Sequence, residues 1–384
     1  MHSYAASMSD KDGRILLSAP RATESDIEAV ALAMRTGWLA PAGPDLAGFE
    51  RDVADYLGVV HAVGLSSGTA ALHLGLKYLG VRAGDVVLVP TLTFGATAFA
   101  VTYLGAEPAF LDVDESWNLD PALITPAVKA LQQAGRRVSA VVPVDLYGAS
   151  ANYGEIVPAL ENLGIPLLED AAEGLGATFQ SRMLGTFGSA GVLSFNGNKL
   201  ITTSGGGMLV TDDEDFADKV RFWSTQSREE QPWYEHEEVG YNCRLSNLLA
   251  ALGRSQLARV GDEIGHRRLV REWYRDRLSE LPGLCVQEDP SWGQSNAWLT
   301  VVRFSPDLYP DAPTRARLLL AANDIESRPV WKPMHLQPVF RHNSNFLNGT
   351  ADALFADGLC LPSGTSMSED DVDRVCRLVT ESLR

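Results

Sequence analysis

Two apolar periods alternate along this chain. From Ile27 to Met34 and from Leu46 to Leu57 apolar residues return every third or fourth position, as on an amphipathic helix. "TESD" before the first of these supplies an N-cap and an acidic first turn. Short unbroken apolar runs then take turns with helical ones. "HAVGL", "DVVLVP", "AEPAFLDV", "VSAVVPV" and "IPLLED" read as strands. Between them, "SSGTAALHLGLKYLG" reads as a turn feeding a helix. "FGATAFAVTYLG", "PALITPAVKALQQAG" and "ANYGEIVPALENLG" read as helices. Strands without polar alternation, set between amphipathic helices, predict a parallel sheet covered on both faces. "AGVLSF" and "GGMLVT" add two further strands. Near residue 260 the character changes: "RVGDEIGHRRLVREWYRDRLSEL" is a long charged helix suited to joining two units. A strand in "NAWLTVVRFS" and helices in "APTRARLLLAAND" and "DVDRVCRLVTESLR" follow. The expected architecture is α/β, with a large domain over 1–260 around a mostly parallel sheet and a small α+β domain over 261–384.

Composition narrows the partners. A net charge of −17 argues against nucleic acid, because binding a phosphate backbone needs a basic face. An anionic ligand must then be held by helix N-termini and a few cations acting locally. The four cysteines, Cys243, Cys285, Cys360 and Cys376, show no C-x-x-C spacing, so neither a zinc site nor a disulfide framework is expected. A cytoplasmic location fits that usage. "MHSYAASMSDKDG" lacks the apolar stretch of a signal peptide, and no apolar run has membrane-spanning length.

Ligands of such sheets bind beyond the carboxyl ends of the strands. "SSGTAAL" opens a helix there. Gly68, the N–H groups of Thr69 and Ala70, the helix dipole and the hydroxyls suit a phosphate, although an ordinary N-cap explains the same residues. "LLEDAAEGLG" puts Glu169 and Asp170 at a strand end, where an acid either enters a site or caps the next helix. "LSFNGNKL" brings a lysine. The chain has six lysines. Lys11 lies in the tail, and Lys77, Lys129 and Lys219 fall on helix faces that read as solvated. Lys332, in "VWKPMH", stays a candidate ligand contact. Lys199 alone sits in a Gly/Asn turn beside strand ends, where burial and neighbours can make an amine nucleophilic; a loop lysine in water is the plain alternative. No strand-borne G-x-G-x-x-G, P-loop or H-E-x-x-H is present. A phosphate cradle, then an acid, then a lysine is the order that pyridoxal phosphate chemistry needs, with Phe94 at another strand end to cover the ring.

With those residues in view, the chain resembles the DegT/DnrJ/EryC1/StrS sugar aminotransferases, pyridoxal phosphate enzymes of aminotransferase fold type I. The likeness runs from "GWLAPAGPDLAGFE" to "GLCLPSG" through "SSGTAALHLGL", "VPTLTFGATAFAV", "EDAAEGLGA", "SFNGNKLITTSGGGML", "GYNCRLSNLLAALGRSQL" and "SRPVWKPMHLQPVF". The resemblance implies that Lys199 is the Schiff-base lysine and that Asp170 pairs with the pyridine nitrogen. It implies that Glu173 approaches the ring hydroxyl and that Phe94 stacks on the ring. Gly68, Thr69 and Ser194 would hold the phosphate, and Asn242 would reach the phosphate of a partner protomer in a homodimer with shared sites. Cys243 departs from the family, where an aromatic is commoner. Dehydratase relatives carry histidine in place of the lysine, so Lys199 implies transamination, with L-glutamate as donor and 2-oxoglutarate as its product. "STQSREEQPWYEHEEVGYN" and "WKPMHLQPVF" look most like enzymes acting at C4 of nucleotide-linked 4-keto-6-deoxyhexoses. The expected acceptor is UDP-2-acetamido-2,6-dideoxy-4-ketohexose, with GDP-perosamine synthases next and C3 sugar or cyclitol aminotransferases as further alternatives. Trp331, Lys332 and His335 would lie near the sugar nucleotide; packing and solvation explain the first two equally well. A non-catalytic scaffold on the same fold is the reading from another class, and retention of lysine, acid and cradle speaks against it.

Overall fold

The computed structural model describes residues 13–384; Lys11 and the stretch read as lacking a signal peptide lie outside the described residues. The N-cap expected at Thr23 is there. Its N–H donates to Asp26 Oδ2 (2.9 Å), and the helix Glu24–Thr36 follows. This helix and Pro44–Leu57 pack on a third, Asn247–Leu257, which Ser246 caps.

The sheet predicted from the short apolar runs forms as eight strands in two hydrogen-bonded halves. One half runs His61–Leu65, Gly207–Thr211, Ala190–Ser194, Leu168–Asp170. The other runs Val138–Val141, Val86–Pro90, Glu107–Leu111, Asn345–Phe346. Bridges Val141–Leu167 and Val144–Asp170 join the halves. Most pairings are parallel, but Gly207–Thr211 is antiparallel to both its neighbours. The reason is the link before it. Residues 195–206 form a turn, with no crossover helix to return the chain to the strand's starting end, and parallel neighbours need such a crossover. Lys199 sits in that turn. The edge strand Asn345–Phe346 comes from far along the chain and carried no local signal.

The C-terminal part builds a second, antiparallel sheet from Leu284–Val286, Thr300–Phe304, Gly358–Leu361 and Arg328–Pro329. The helices Val260–Leu278, Ala312–Ala322 and Glu369–Glu381 cover it and share its apolar core. Ile15 joins that core and bridges to Ile325, so the start of the described chain docks beside its C-terminal part. No helix among the described residues is long and apolar enough to cross a membrane.

Two lysines differ from expectation. Lys77 and Lys219 are half-buried, with their ammonium groups over the ring of Trp223, because cations with apolar stems cover aromatic surface. Lys129 is exposed as read.

Candidate active site

The strand His61–Leu65 is followed by two residues, Ser66 and Ser67, and then the helix Gly68–Tyr78. Ser67 caps it: its hydroxyl accepts the Ala70 N–H (3.1 Å). The Gly68 and Thr69 N–H groups, in the first turn, have no intrahelical acceptor. Three segments meet at this helix end. A Cβ on Gly68 would lie 3.2 Å from Ser194 Cβ, and one on Gly207 would lie 2.3 Å from the Gly68 nitrogen. Glycine at both positions therefore keeps open a small anion cradle bounded by Ser194 and the helix start.

Strand geometry separates the two acids at the end of Leu168–Asp170, since successive side chains face opposite ways. Glu169 turns away and accepts the Gly185 (2.5 Å) and Phe187 (2.7 Å) N–H groups. Asp170 turns toward Thr97, whose hydroxyl donates to Oδ2 at 2.7 Å, and Oδ1 accepts the Ala172 N–H. Burial pushes the Asp170 carboxyl above its ordinary range, opposed by the Thr97 and Ala172 hydrogen bonds and the Lys199 charge.

Glu173 is buried beside it. Its Oε1 accepts from Lys199 Nζ (3.1 Å) and its Oε2 from the Tyr147 N–H (2.7 Å). Burial raises this carboxyl too, and the Lys199 charge is the largest opposing influence. The Trp298 ring lies 4.2 Å from Lys199 Nζ. From there an aromatic wall continues. Trp331 is 6.4 Å from Trp298 and 5.1 Å from Tyr147, and its N–H donates to the Tyr147 hydroxyl. Phe94, 61% exposed, stands 5.6 Å from Trp331.

Of the expected site residues, Lys199, Glu173 and Asp170 thus gather at one place, with Phe94 and Trp331 joined to them through aromatic contacts. Gly68 meets Ser194 at the helix start, and Thr69 follows in the same first turn. Lys332 is exposed, its side chain in solvent. His335 has both ring nitrogens engaged, Nδ1 by the Thr91 hydroxyl (2.7 Å) and Nε2 by Asp352 (3.1 Å). Asn242 is exposed, and no hydrogen bond joins it to Lys199, Glu173 or Asp170 among the described residues. Sequence reasoning missed Thr97, Tyr147 and Trp298. Thr97 had a faint signal: it follows Thr93 by one helical turn, and the two hydroxyls bond at 2.8 Å. Tyr147 acts through its backbone at a φ of 54°, which no side-chain pattern reveals.

The donor set fits a flat aldehyde cofactor with a phosphate tail. It offers a cradle that a Cβ would fill, a buried acid short of a cation, and an amine held against a carboxylate.

Comparison with known proteins agrees. The profile of the DegT/DnrJ/EryC1/StrS aminotransferase family matches residues 20–380. The Bacillus subtilis (strain 168) protein EpsN, named as a pyridoxal phosphate-dependent aminotransferase, is 40% identical over 95% of each chain. A GDP-perosamine synthase of Caulobacter vibrioides is 37% identical over 96% of this chain and 98% of its own. Among solved structures, DesI with its TDP-sugar product superposes with a TM-score of 0.87 at 30% identity, over 97% of this chain and 94% of that one.

Proposed function

Because the chain belongs to the DegT/DnrJ/EryC1/StrS aminotransferase family and is a pyridoxal phosphate-dependent sugar aminotransferase, we propose that it moves the amino group of L-glutamate to the C4 keto group of a nucleotide-linked 4-keto-6-deoxyhexose. The observation that carries this reading is the Lys199–Glu173 contact beside buried Asp170, with an anion cradle at the neighbouring helix end. When bound, pyridoxal phosphate supplies an aldehyde to carry the amino group and a ring to withdraw electrons.

The chain's own residues do the rest. Gly68 and Thr69 N–H groups and the Ser194 hydroxyl hold the phosphate. Phe94 covers a ring face. Asp170 would pair with the ring nitrogen, whose positive charge would offset the cost of burying the carboxylate. Lys199 would anchor the cofactor through its amine and, freed when the substrate's amino group takes its place, would accept the proton from the α-carbon of glutamate and deliver one to C4 of the sugar. Glu173 Oε1 orients that amine and would face the ring hydroxyl. The described chain up to about residue 260 is the cofactor-binding unit and 261–384 the smaller unit, except that Ile15 joins the core of the smaller unit and Asn345–Phe346 the sheet of the larger. The chain acts in the cytoplasm as a homodimer in which Asn242 reaches the partner's phosphate. Trp331 and Lys332 contact the sugar nucleotide, and His335, already held by Thr91 and Asp352, fixes the segment that carries them.

The likeness of the 224–242 and 331–340 blocks supports UDP-2-acetamido-2,6-dideoxy-4-ketohexose as acceptor. The 37% identical relative favours a GDP-linked hexose as the second reading. The test supplies loaded enzyme and glutamate with UDP-, GDP- and dTDP-linked 4-ketosugars, 3-keto isomers and scyllo-inosose, and weighs the products by mass spectrometry. Amination of a 4-ketosugar alone is expected; amination of only a 3-ketosugar or the cyclitol would overturn the proposal. Borohydride reduction of the loaded protein should leave the cofactor on the peptide carrying Lys199. Lys199→Ala should lower turnover about a thousandfold or more, the loss of a proton-transferring group that also bonds the cofactor.

A further inference from the structure

The turn that carries Lys199 has little of its own to fix it. Between buried Phe195 and Leu200, Asn196 and Asn198 are exposed. A Cβ on Gly197 would meet nothing nearer than the Ser204 carbonyl at 3.8 Å. Yet the Asn198–Lys199 peptide is held at both edges. The Lys199 N–H donates to the Asn196 carbonyl (3.0 Å). The Asn198 carbonyl accepts from two donors far along the chain, the Ser18 hydroxyl (2.9 Å) and Trp298 Nε1 (2.8 Å). A carbonyl oxygen has two lone pairs, so both are engaged, and a planar peptide gripped in this way resists rotation.

Arg267, in the helix Val260–Leu278, sets the sense of one of these bonds. It is 1% exposed, and its acceptors are neutral. Its Nη1 donates to Ser18 Oγ (3.2 Å) and to the carbonyls of Trp298 (2.8 Å) and Ser363 (3.0 Å), and its Nη2 also reaches Ser18 Oγ (3.2 Å). A guanidinium only donates, so Ser18 Oγ accepts from it and has its one hydrogen left for the Asn198 carbonyl. The chain around Ser18 leans on the smaller unit. The Leu17 N–H donates to Glu326 Oε2 (3.2 Å), the Leu17 carbonyl accepts the Ser363 N–H (2.8 Å), and Ile15 bridges to Ile325.

We infer that Ser18 and Trp298 are positioning residues for the reaction: together they fix the plane of the Asn198–Lys199 peptide, and Arg267 aims the Ser18 hydroxyl. The inference rests on the reading of Lys199 as the residue that bonds the cofactor. A side chain that first anchors a ring and then moves a proton beside it works from a fixed starting point, because a misplacement of about 1 Å can cost about a hundredfold in rate. The smaller unit and the segment docked on it thereby set the lysine, in addition to the two strands that flank its turn.

The test uses full-length protein loaded with pyridoxal phosphate and mixed rapidly with L-glutamate, without an acceptor, while the cofactor's colour is followed. Ser18→Ala and Trp298→Phe each remove one donor. Each should slow the bleaching about three- to tenfold and leave the glutamate concentration for half-saturation within about twofold. Ser18→Thr keeps the hydroxyl and should restore the rate. The double variant should lose about a hundredfold or more, beyond the product of the single losses, because either donor alone still holds the carbonyl. Visible circular dichroism of the bound cofactor, which reads the ring's setting against Lys199 without turnover, should weaken in the same order. If one single variant does not fold, the other removes the second donor and decides the matter. Wild-type rates and dichroism in the single variants overturn the inference. So do losses that track unfolding temperature and are not repaired by Ser18→Thr. Borohydride labelling of the loaded wild-type protein separates the two levels. Adduct on Lys199 with unaffected variants leaves the enzyme reading intact, whereas adduct elsewhere overturns that reading and this inference with it.

Discussion

Lys199 Nζ and Glu173 Oε1 lie 3.1 Å apart in a pocket where Glu173 keeps only 3% of its side chain exposed and Lys199 13%. Each ion is costly there without the other. Glu173→Ala should destabilise the cofactor-free protein by about 3 kcal/mol, since it also strips the Tyr147 N–H of its acceptor. Glu173→Gln keeps an oxygen for one of the two donors, so it should cost less than half as much and retain activity within about tenfold. Urea melts and steady-state rates on both variants check this.

Thr97 donates to Asp170 in a dry environment, which favours the anion of an acid that burial otherwise raises. Thr97→Val keeps the shape and removes the donor. Asp170 should then hold its proton to higher pH, and the acid limb of the rate profile should move upward. Rates at neutral pH should fall about tenfold, the equivalent of one hydrogen bond to a charged group. A pH–rate profile whose acid limb stays where it is in the wild type would contradict the role given to this hydroxyl.

Behind the site, Asp145 accepts the Ala151 N–H and the Tyr153 hydroxyl on Oδ1, while burial and then the Glu169 charge push its carboxyl well above its ordinary value of 3.8. The native state therefore keeps a proton that the unfolded chain releases. Stability is greatest below the unfolded value and falls as pH rises through the window up to the raised native value. Asp145→Asn carries its hydrogens permanently and loses this slope. It should be at least as stable as the wild type at pH 8, with a flatter stability profile between pH 4 and 8, read from urea melts across that range.

Gly207 sits where the antiparallel strand begins against the helix start. A Cβ there would overlap the Gly68 nitrogen at 2.3 Å, and the neighbour is backbone that cannot swing aside. Gly207→Ala should cost about 1–3 kcal/mol in stability and weaken cofactor retention, because the displaced N–H groups are those that hold the phosphate. Equilibrium dialysis of the cofactor and a thermal melt measure the two effects.

The local grammar of this chain was legible without its fold. Strand and helix order, the Thr23 cap, the glycine-opened helix at Gly68 and the lysine between two strands follow from contacts within a few residues of one another. Those contacts are written in periodicity and in the special backbone freedom of glycine. Tertiary structure decided the rest. The missing crossover between Ser194 and Gly207 turned one strand antiparallel, and register with its neighbours chose Asp170 over Glu169 to face Thr97. Asn345–Phe346 became a sheet edge, and Trp298 reached the carbonyl of a residue a hundred positions earlier. Such pairings join distant segments through burial and mutual fit, and their energies depend on both partners at once, so neither segment alone carries the signal.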